Sequence, residues 1–114
     1  REFAAVRRTG RGISDRLLVL ISMPNGLRVT RFGFSIGKRV GNAVTRNRIK
    51  RRLREALQIN EIEEGWDLVV IARKDSSSAH FRDIMDSISK LLNRASILKV
   101  DSQSQKHDRD MNNV

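Results

Sequence analysis

The sequence predicts an α+β fold, a single small two-layer sandwich, and three observations carry that prediction. Two short apolar runs, Arg16–Ser22 and Asp67–Ala72, have strand length and β-branched content. The stretch Leu27–Ile36 alternates with the two-residue period of a strand. Two later segments, beginning near Ala43 and Phe81, repeat apolar residues at helical spacing. The resulting order is helix, hairpin, helix, strand, helix, which one sheet layer and one helix layer can satisfy.

Each element has a local reason. Residues 1 to about 9 form a short helix with Phe3 and Val6 three apart, and Gly10 and Gly12 end it. Arg16–Ser22 (RLLVLIS) is a buried strand. Met23-Pro24-Asn25-Gly26 is a turn, because Pro fixes φ and Asn-Gly tolerates positive φ. In Leu27–Ile36 one face carries Arg28, Thr30, Phe32, Phe34 and Ile36; the other carries Leu27, Val29, Arg31, Gly33 and Ser35. Two strand-like runs around a tight turn predict an antiparallel hairpin. Asn42 is an N-cap for a helix over about Ala43–Asn60, whose buried stripe is Ile49, Leu53, Ala56 and Leu57. Glu61–Gly65 is an acidic loop. Asp67–Ala72 (DLVVIA) follows a long helix, so it can lie parallel to a strand of the hairpin. Ser76, Ser77 and Ser78 offer N-caps for a last helix with Phe81, Ile84, Met85, Ile88, Leu91, Leu92 and Ala95 on one side. From about Asp101 the chain lacks apolar periodicity and is expected to be disordered, leaving residues 1 to 100 as one domain.

Composition narrows the function. The chain has no cysteine, which excludes disulfide scaffolds, thiolate zinc sites and cysteine nucleophiles. No apolar run reaches the roughly 18 residues of a membrane span, and no secretory signal pattern is seen, so a cytoplasmic protein is expected. The net charge is +10. Residues 1–54 hold 15 basic and 2 acidic side chains, and residues 55–114 hold 8 basic and 11 acidic. The basic character therefore belongs to one half, a field that attracts polyanions, nucleic acid before an acidic membrane. Its sharpest stretch, Lys38–Arg54, has eight basic residues and no acidic one.

That stretch contains the candidate binding helix. With Ile49 toward the core, a 100° advance per residue puts Asn47, Arg51 and Arg54 on the far side. Arg46 and Lys50 take one flank, and Arg48 and Arg52 the other. Like charges at these spacings repel and weaken an isolated helix. A solvated, salt-bridged face does not account for them, because the stretch offers no acid to pair with. A phosphate lattice does, and arginine supplies planar forks for paired phosphate oxygens. Asn47 offers a donor and an acceptor for a base edge. Entry into a DNA major groove is one option, although such readers come as defined helical modules. Phe32 and Phe34 on one strand face are candidates for stacking unpaired bases, with ordinary core as the bland alternative.

Other motifs fail. Gly33–Arg39 reads G-x-x-x-G-K-R, one residue short of a phosphate loop and without its Ser/Thr. His80 near Asp83 lacks a second ligand, and Asp67 and Asp75 form no clear carboxylate pair. The residues read as a binding protein and not as a self-sufficient enzyme. Two other classes remain open: a general RNA-binding or ribosome-associated module, and a protein-only metal-dependent nuclease, which would need clustered carboxylates.

The stretch RFGFSIGKRVGNAVTRNRIKRRLREA, Arg31–Ala56, resembles the bacterial ribonuclease P protein subunit family. The likeness centres on Arg46-Asn47-Arg48 followed by IKRRLREA, preceded by FSIGKRVGNAV. EFAAVRRTGR, WDLVVIAR and the helix near Phe81–Arg94 extend it over about residues 2–98. The resemblance implies a sheet of about four strands with helices, similar to the second domain of a small-subunit ribosomal protein, with a left-handed βαβ crossover. It implies that the chemistry belongs to an RNA subunit, which removes the 5′ leader of precursor tRNA with bound Mg²⁺ that this chain does not hold tightly. It also implies that Arg46, Asn47, Arg48, Lys50, Arg51 and Arg54 contact the catalytic RNA, and that Phe3, Phe34, Ser35, Lys38 and Arg39 belong to a cleft for the single-stranded leader. Partners are then the catalytic RNA and precursor tRNA, with no obligate protein partner. Arg7 and Ile21 stand where relatives often have an aromatic.

The electrostatic reading predicts a number. With about six phosphates neutralised, log affinity for RNA falls with log salt at a slope near about −4 to −5. A salt titration of RNA binding checks it; a flat response would remove the phosphate lattice as the explanation of the charge run.

Overall fold

The computed structural model describes residues 10–99. The expected N-terminal helix, Phe3 and Arg7, and the expected disordered tail lie outside the described residues. The observed order is β1 (Arg11–Ser14), β2 (Leu18–Pro24), β3 (Arg31–Ser35), a 3-10 turn (Lys38–Val40), α1 (Ala43–Ile59), β4 (Trp66–Ala72), a second 3-10 turn (Lys74–Ser78) and α2 (Phe81–Arg94). The class is α+β as expected: one mixed four-stranded sheet with two helices among the described residues.

The predicted hairpin does not form. The strand order is β1-β2-β4-β3, so β4 lies between the two runs that the turn joins. It pairs antiparallel with β2, Leu20 opposite Val70, and parallel with β3, Phe34 opposite Val70. The parallel relation of the Asp67–Ala72 run to a neighbouring strand is therefore as expected. The turn signal is real but has another use. The Asn25 side chain accepts from Leu27 N at 2.7 Å, and Gly26 takes φ +72°. Residues 27–30 then run as a loop and not as strand. Thr30 Oγ1 donates to Glu63 O at 2.6 Å and accepts from Trp66 N at 3.1 Å, fastening that loop to the start of β4. The loop thus spans the width of one strand and leaves a slot for β4.

β1 was not anticipated, since Gly12 gives it little strand character. It pairs antiparallel with β2 at the sheet edge, Ile13 opposite Leu20. Asp15 closes the connection: its Oδ1 accepts from Leu17 N and Leu18 N, both at 2.9 Å, and its Oδ2 accepts from Ser87 of α2. Burial alone would push the Asp15 carboxyl up. The Ser87 hydroxyl and the two amides outweigh burial and hold it below the ordinary carboxylate range.

Both helices cover the sheet face that carries Leu18, Leu20, Leu68, Val70 and Ala72. From α1 come Ile49, Leu53, Ala56 and Leu57, the stripe read from the sequence, and from α2 come Ile84, Ile88, Leu91 and Leu92. The other sheet face carries Val19, Ile21, Val69 and Ile71, with Arg31, Gly33 and Ser35 beside them on β3. The serines do not cap α2 as expected. They form the second 3-10 turn, with Ser76 Oγ donating to Arg73 O, and His80 takes the N-cap position while its N–H donates to Asp83 Oδ2 at 3.3 Å.

One ion pair ties the far side of β4 to β3. Arg31 Nε and Nη2 donate to the two Asp67 oxygens at 2.8 and 2.7 Å, and Asn25 Nδ2 donates to Oδ1 at 2.9 Å. The Arg31 hydrogen bonds, which outweigh burial, hold the Asp67 carboxyl below its ordinary value. Its stabilisation is therefore complete above the unfolded value near about 3.9 and is lost as pH falls through the folded one. Asp67→Asn should cost about 1–2 kcal/mol at neutral pH, a modest figure because Arg31 keeps 42% of its side chain exposed. The gap in Tm between wild type and variant should narrow as pH falls from neutrality through and below the ordinary carboxylate range. A gap that stays constant over that range would show that the carboxylate charge is not what holds β3.

Candidate nucleic-acid interface

The basic helix begins where the sequence places it. Asn42 Oδ1 accepts from Thr45 N at 2.9 Å, capping a helix that runs from Ala43 to Ile59. The residue before the cap must be small: a Cβ at Gly41 would meet Thr45 Cγ2 at 2.8 Å and Cβ at 2.9 Å. With Ile49 and Leu53 fully buried, the orientation of α1 is fixed and its cations fall on three sides.

On the crown, Asn47 and Arg51 are exposed to solvent. On one flank, Arg48 Nη2 donates to Ser77 O at 3.3 Å and Arg52 Nη1 reaches Ala79 O at 3.5 Å. The Arg52 guanidinium also lies 5.9 Å from the centroid of the Phe81 ring. This flank ties α1 to the second 3-10 turn and to the start of α2. The other flank faces β3. There Arg46, Asn47 and Lys50 border a hollow of about 270 Å³ with Phe34 and Ile36. Further along, Lys50, Arg54, Leu57 and Gln58 border a larger groove of about 470 Å³ with Phe32 and Phe34. Arg54 sits 5.7 Å from the Phe34 centroid, so Phe34 is shared between the core edge and the groove.

Among the described residues, none of the six α1 cations forms an ion pair with a carboxylate. The Nε atoms of Arg46 and Arg48 are buried without a hydrogen-bond partner. The helix thus holds its guanidinium groups by carbonyls, rings and packing while leaving their charge uncompensated. This is the arrangement expected of a surface built to receive phosphates.

The sequence-derived candidates are brought together in part. Arg46, Asn47, Lys50 and Arg54 share the β3-facing side with Phe34, so residues assigned to two separate sets line adjoining hollows. Ser35 follows Phe34 on the strand and belongs to the opposite sheet face, level with Ile71. Lys38 and Arg39 are exposed on the first 3-10 turn, which packs against the second. That contact brings Arg73 and Lys74, both exposed and not singled out from sequence, to the same end of the molecule. Gln58 and Leu57 were also missed as groove residues. The i, i+4, i+8 row Lys50, Arg54, Gln58 was a signal for them, but only the position of β3 shows which flank is lined. No three His, Asp or Glu side chains among the described residues cluster so as to hold a metal ion, and no helix among them is long and apolar enough to cross a membrane.

Comparison with known proteins supplies the family. The family model described as Ribonuclease P matches residues 1–96. The chain is 41% identical over 100 residues to the ribonuclease P protein component of Clostridium botulinum (strain Loch Maree), covering 85% of this chain and 90% of the relative. It is 39% identical over 95 residues to that of Caldanaerobacter subterraneus, covering 82% of each. The Staphylococcus aureus RNase P protein structure superposes with a TM-score of 0.80 at 30% identity, covering 86% of this chain and 92% of that one.

The three sides of α1 should separate experimentally. Arg51→Ala removes a crown cation with no intramolecular contact, so the salt slope of RNA binding should fall by about 0.7–0.9 while stability stays within about 0.5 kcal/mol. Arg52→Ala loses a carbonyl contact and the Phe81 stack, so it should lower stability by about 0.5–1 kcal/mol as well. Thermal melts paired with salt titrations give both readouts; equal melts for the two variants would contradict the structural role of that flank.

Proposed function

The chain belongs to the ribonuclease P protein family, and from that membership we propose how its surface divides the work of the enzyme. It is the protein subunit of an endoribonuclease that acts in removing the 5′ leader of precursor tRNA, working with the ribonuclease P RNA and the tRNA substrate. Our reading of the residues is that α1 is the seat of the RNA subunit, through Arg46, Asn47, Arg48, Lys50, Arg51 and Arg54. The observation that carries it is that Arg46, Arg48, Arg52 and Arg54 are oriented by packing, carbonyls or rings and that, among the described residues, none of the six α1 cations is neutralised by a carboxylate.

The cleft for the leader is proposed at the β3 side of the molecule, with Phe34, Ser35, Lys38 and Arg39. Phe3, assigned to the same cleft, lies outside the described residues. The chain is proposed to work in the cytoplasm, where tRNA precursors are handled.

The mechanism for this chain is electrostatic. The catalytic RNA and its substrate are both polyanions and repel at close approach. Guanidinium and ammonium groups between them replace condensed counterions and lower that repulsion, which favours the bound pair without supplying a nucleophile. The Mg²⁺ that the family's hydrolysis uses is proposed to be held by the RNA; it would supply the charge stabilisation for phosphodiester cleavage. The described residues offer no clustered acids for it. The chain's own part is to lower the Mg²⁺ concentration at which substrate is held.

Precursor tRNA cleavage at low Mg²⁺, with and without the RNA subunit and with and without this chain, tests the division. Cleavage should require the RNA, and the chain should lower the Mg²⁺ needed. Cleavage by the chain alone would make it a protein-only nuclease. RNA binding with no stimulation would make it a general RNA-binding module.

A further inference from the structure

The groove between β3 and the C-terminal half of α1 has a character that phosphate binding does not explain. Its lining is aromatic and aliphatic, with Phe32, Phe34 and Leu57, and Phe32 keeps 45% of its surface exposed. Lys50 and Arg54, one helical turn apart, stand at the rim, and Gln58 lies one turn further. Among the described residues no carboxylate lines it. A surface that only receives phosphates has no use for an open aromatic floor, because phosphates are satisfied by donors alone. An ordinary core edge would cover Phe32 and would not ring it with unpaired cations.

We propose that this groove is a pocket for one unpaired nucleotide of the RNA subunit, its base lying on Phe32 and its phosphate held by Lys50 and Arg54. The proposal rests on α1 as the seat of that RNA. Each part of a nucleotide finds a counterpart. The base has an apolar π-face, which an exposed ring accepts whatever the base identity. The sugar-phosphate is anionic, and the two rim cations carry no competing ion pair among the described residues. The polar base edge meets Gln58, whose amide offers both a donor and an acceptor. The volume of about 470 Å³ is of the size of small-molecule sites and admits a single base, not a helix. A paired base cannot enter, because the bases of an A-form duplex are stacked and their major-groove edges are out of side-chain reach. The occupant is therefore an unpaired residue, in a bulge, a loop or a strand end of the RNA subunit, and the pocket selects RNA structure as well as charge.

Phosphate and base contributions differ in their response to salt, and that separates them. Affinity for the RNA subunit is measured across salt concentrations for wild type, Phe32→Ala, Phe32→Leu, Phe32→Trp, Gln58→Ala and Arg51→Ala, with thermal melts as the folding control. Phe32→Ala should weaken binding about 5- to 100-fold at every salt concentration with the slope unchanged, since stacking releases no counterions. Phe32→Leu should stay weak and Phe32→Trp should restore binding to within about 2-fold, because a ring and not bulk is required. Gln58→Ala, on the exposed side of α1, should weaken binding about 3-fold or more without touching the sheet. Wild-type affinity in both Phe32→Ala and Gln58→Ala would overturn the pocket, and would leave the groove to a protein partner or to none. Wild-type affinity of Phe32→Leu would reduce it to an apolar plug and overturn the base assignment. If Arg51→Ala still lowers the salt slope in those cases, α1 remains the RNA seat; if the slope is also unmoved, that reading falls too.

Discussion

The apolar run Leu68–Ile71 has to be paired on both edges, and the rest of the molecule follows from that constraint. Three of its four residues are buried, so β4 cannot be an edge strand without leaving apolar surface and backbone donors to water. Once β4 takes the centre, β2 and β3 cannot be neighbours, and the loop between them must be wide. β3 and β4 become parallel neighbours, and parallel neighbours need a crossover across a sheet face. The crossover is the basic helix. Its charged sides are therefore held over the β3 edge because of a requirement that arises in an uncharged strand.

The sequence made some of this legible and hid the rest for a physical reason. The α1 stripe, its Asn42 cap and the α2 stripe are set by residues close in sequence, and they are found where periodicity puts them. The hairpin is the instructive failure. Asn25-Gly26 turns as expected, with its Asx hydrogen bond to Leu27 N, but a tight turn determines only the local chain direction. Whether the next strand pairs beside the first or one place away depends on Thr30 meeting Glu63 and Trp66, more than thirty residues on. β1 was hidden because Gly12 and exposed Arg11 give it no pattern, and its pairing comes from β2 having a free edge. The candidate site behaves likewise. Helical projection put Arg54 on the far side of α1 with Asn47 and Arg51, whereas the structure turns it, with Lys50, toward Phe32 and Phe34 of β3.

Six cations on one short helix are unfavourable in isolation, and the fold answers this unevenly. The flank with Arg48 and Arg52 is tied down by the carbonyls of Ser77 and Ala79 and by the Phe81 ring. These contacts orient charge without neutralising it, because a carbonyl or a ring accepts a guanidinium while leaving its net charge intact. A carboxylate would have stabilised the free protein more and then competed with phosphate. Two carboxylates serve the sheet. Asp67 is spent on Arg31 across the β3–β4 edge, and Asp15 on the β1–β2 connection and Ser87. These two carboxylates stabilise the sheet, and Glu55, the acid on α1 itself, forms no ion pair with the cations beside it among the described residues.

Orientation without neutralisation also bears on specificity. A cation free to sweep through solvent binds any polyanion with similar strength, since counterion release does not depend on the order of bases. Fixing Arg54 against Phe34 restricts its reach to phosphates that pass beside the groove. On the proposed pocket, an RNA that brings a phosphate but no base to that place forgoes the burial of Phe32, whose ring stays against water as it does in the free protein. In that proposal charge sets how tightly RNA is held at a given salt concentration, and the aromatic edge of β3 sets which fold of RNA satisfies both demands at once. The two properties come from adjoining elements because the crossover places the helix beside that edge. A change that shifted β4 to the sheet margin would keep every positive charge and remove the aromatic edge from beside it.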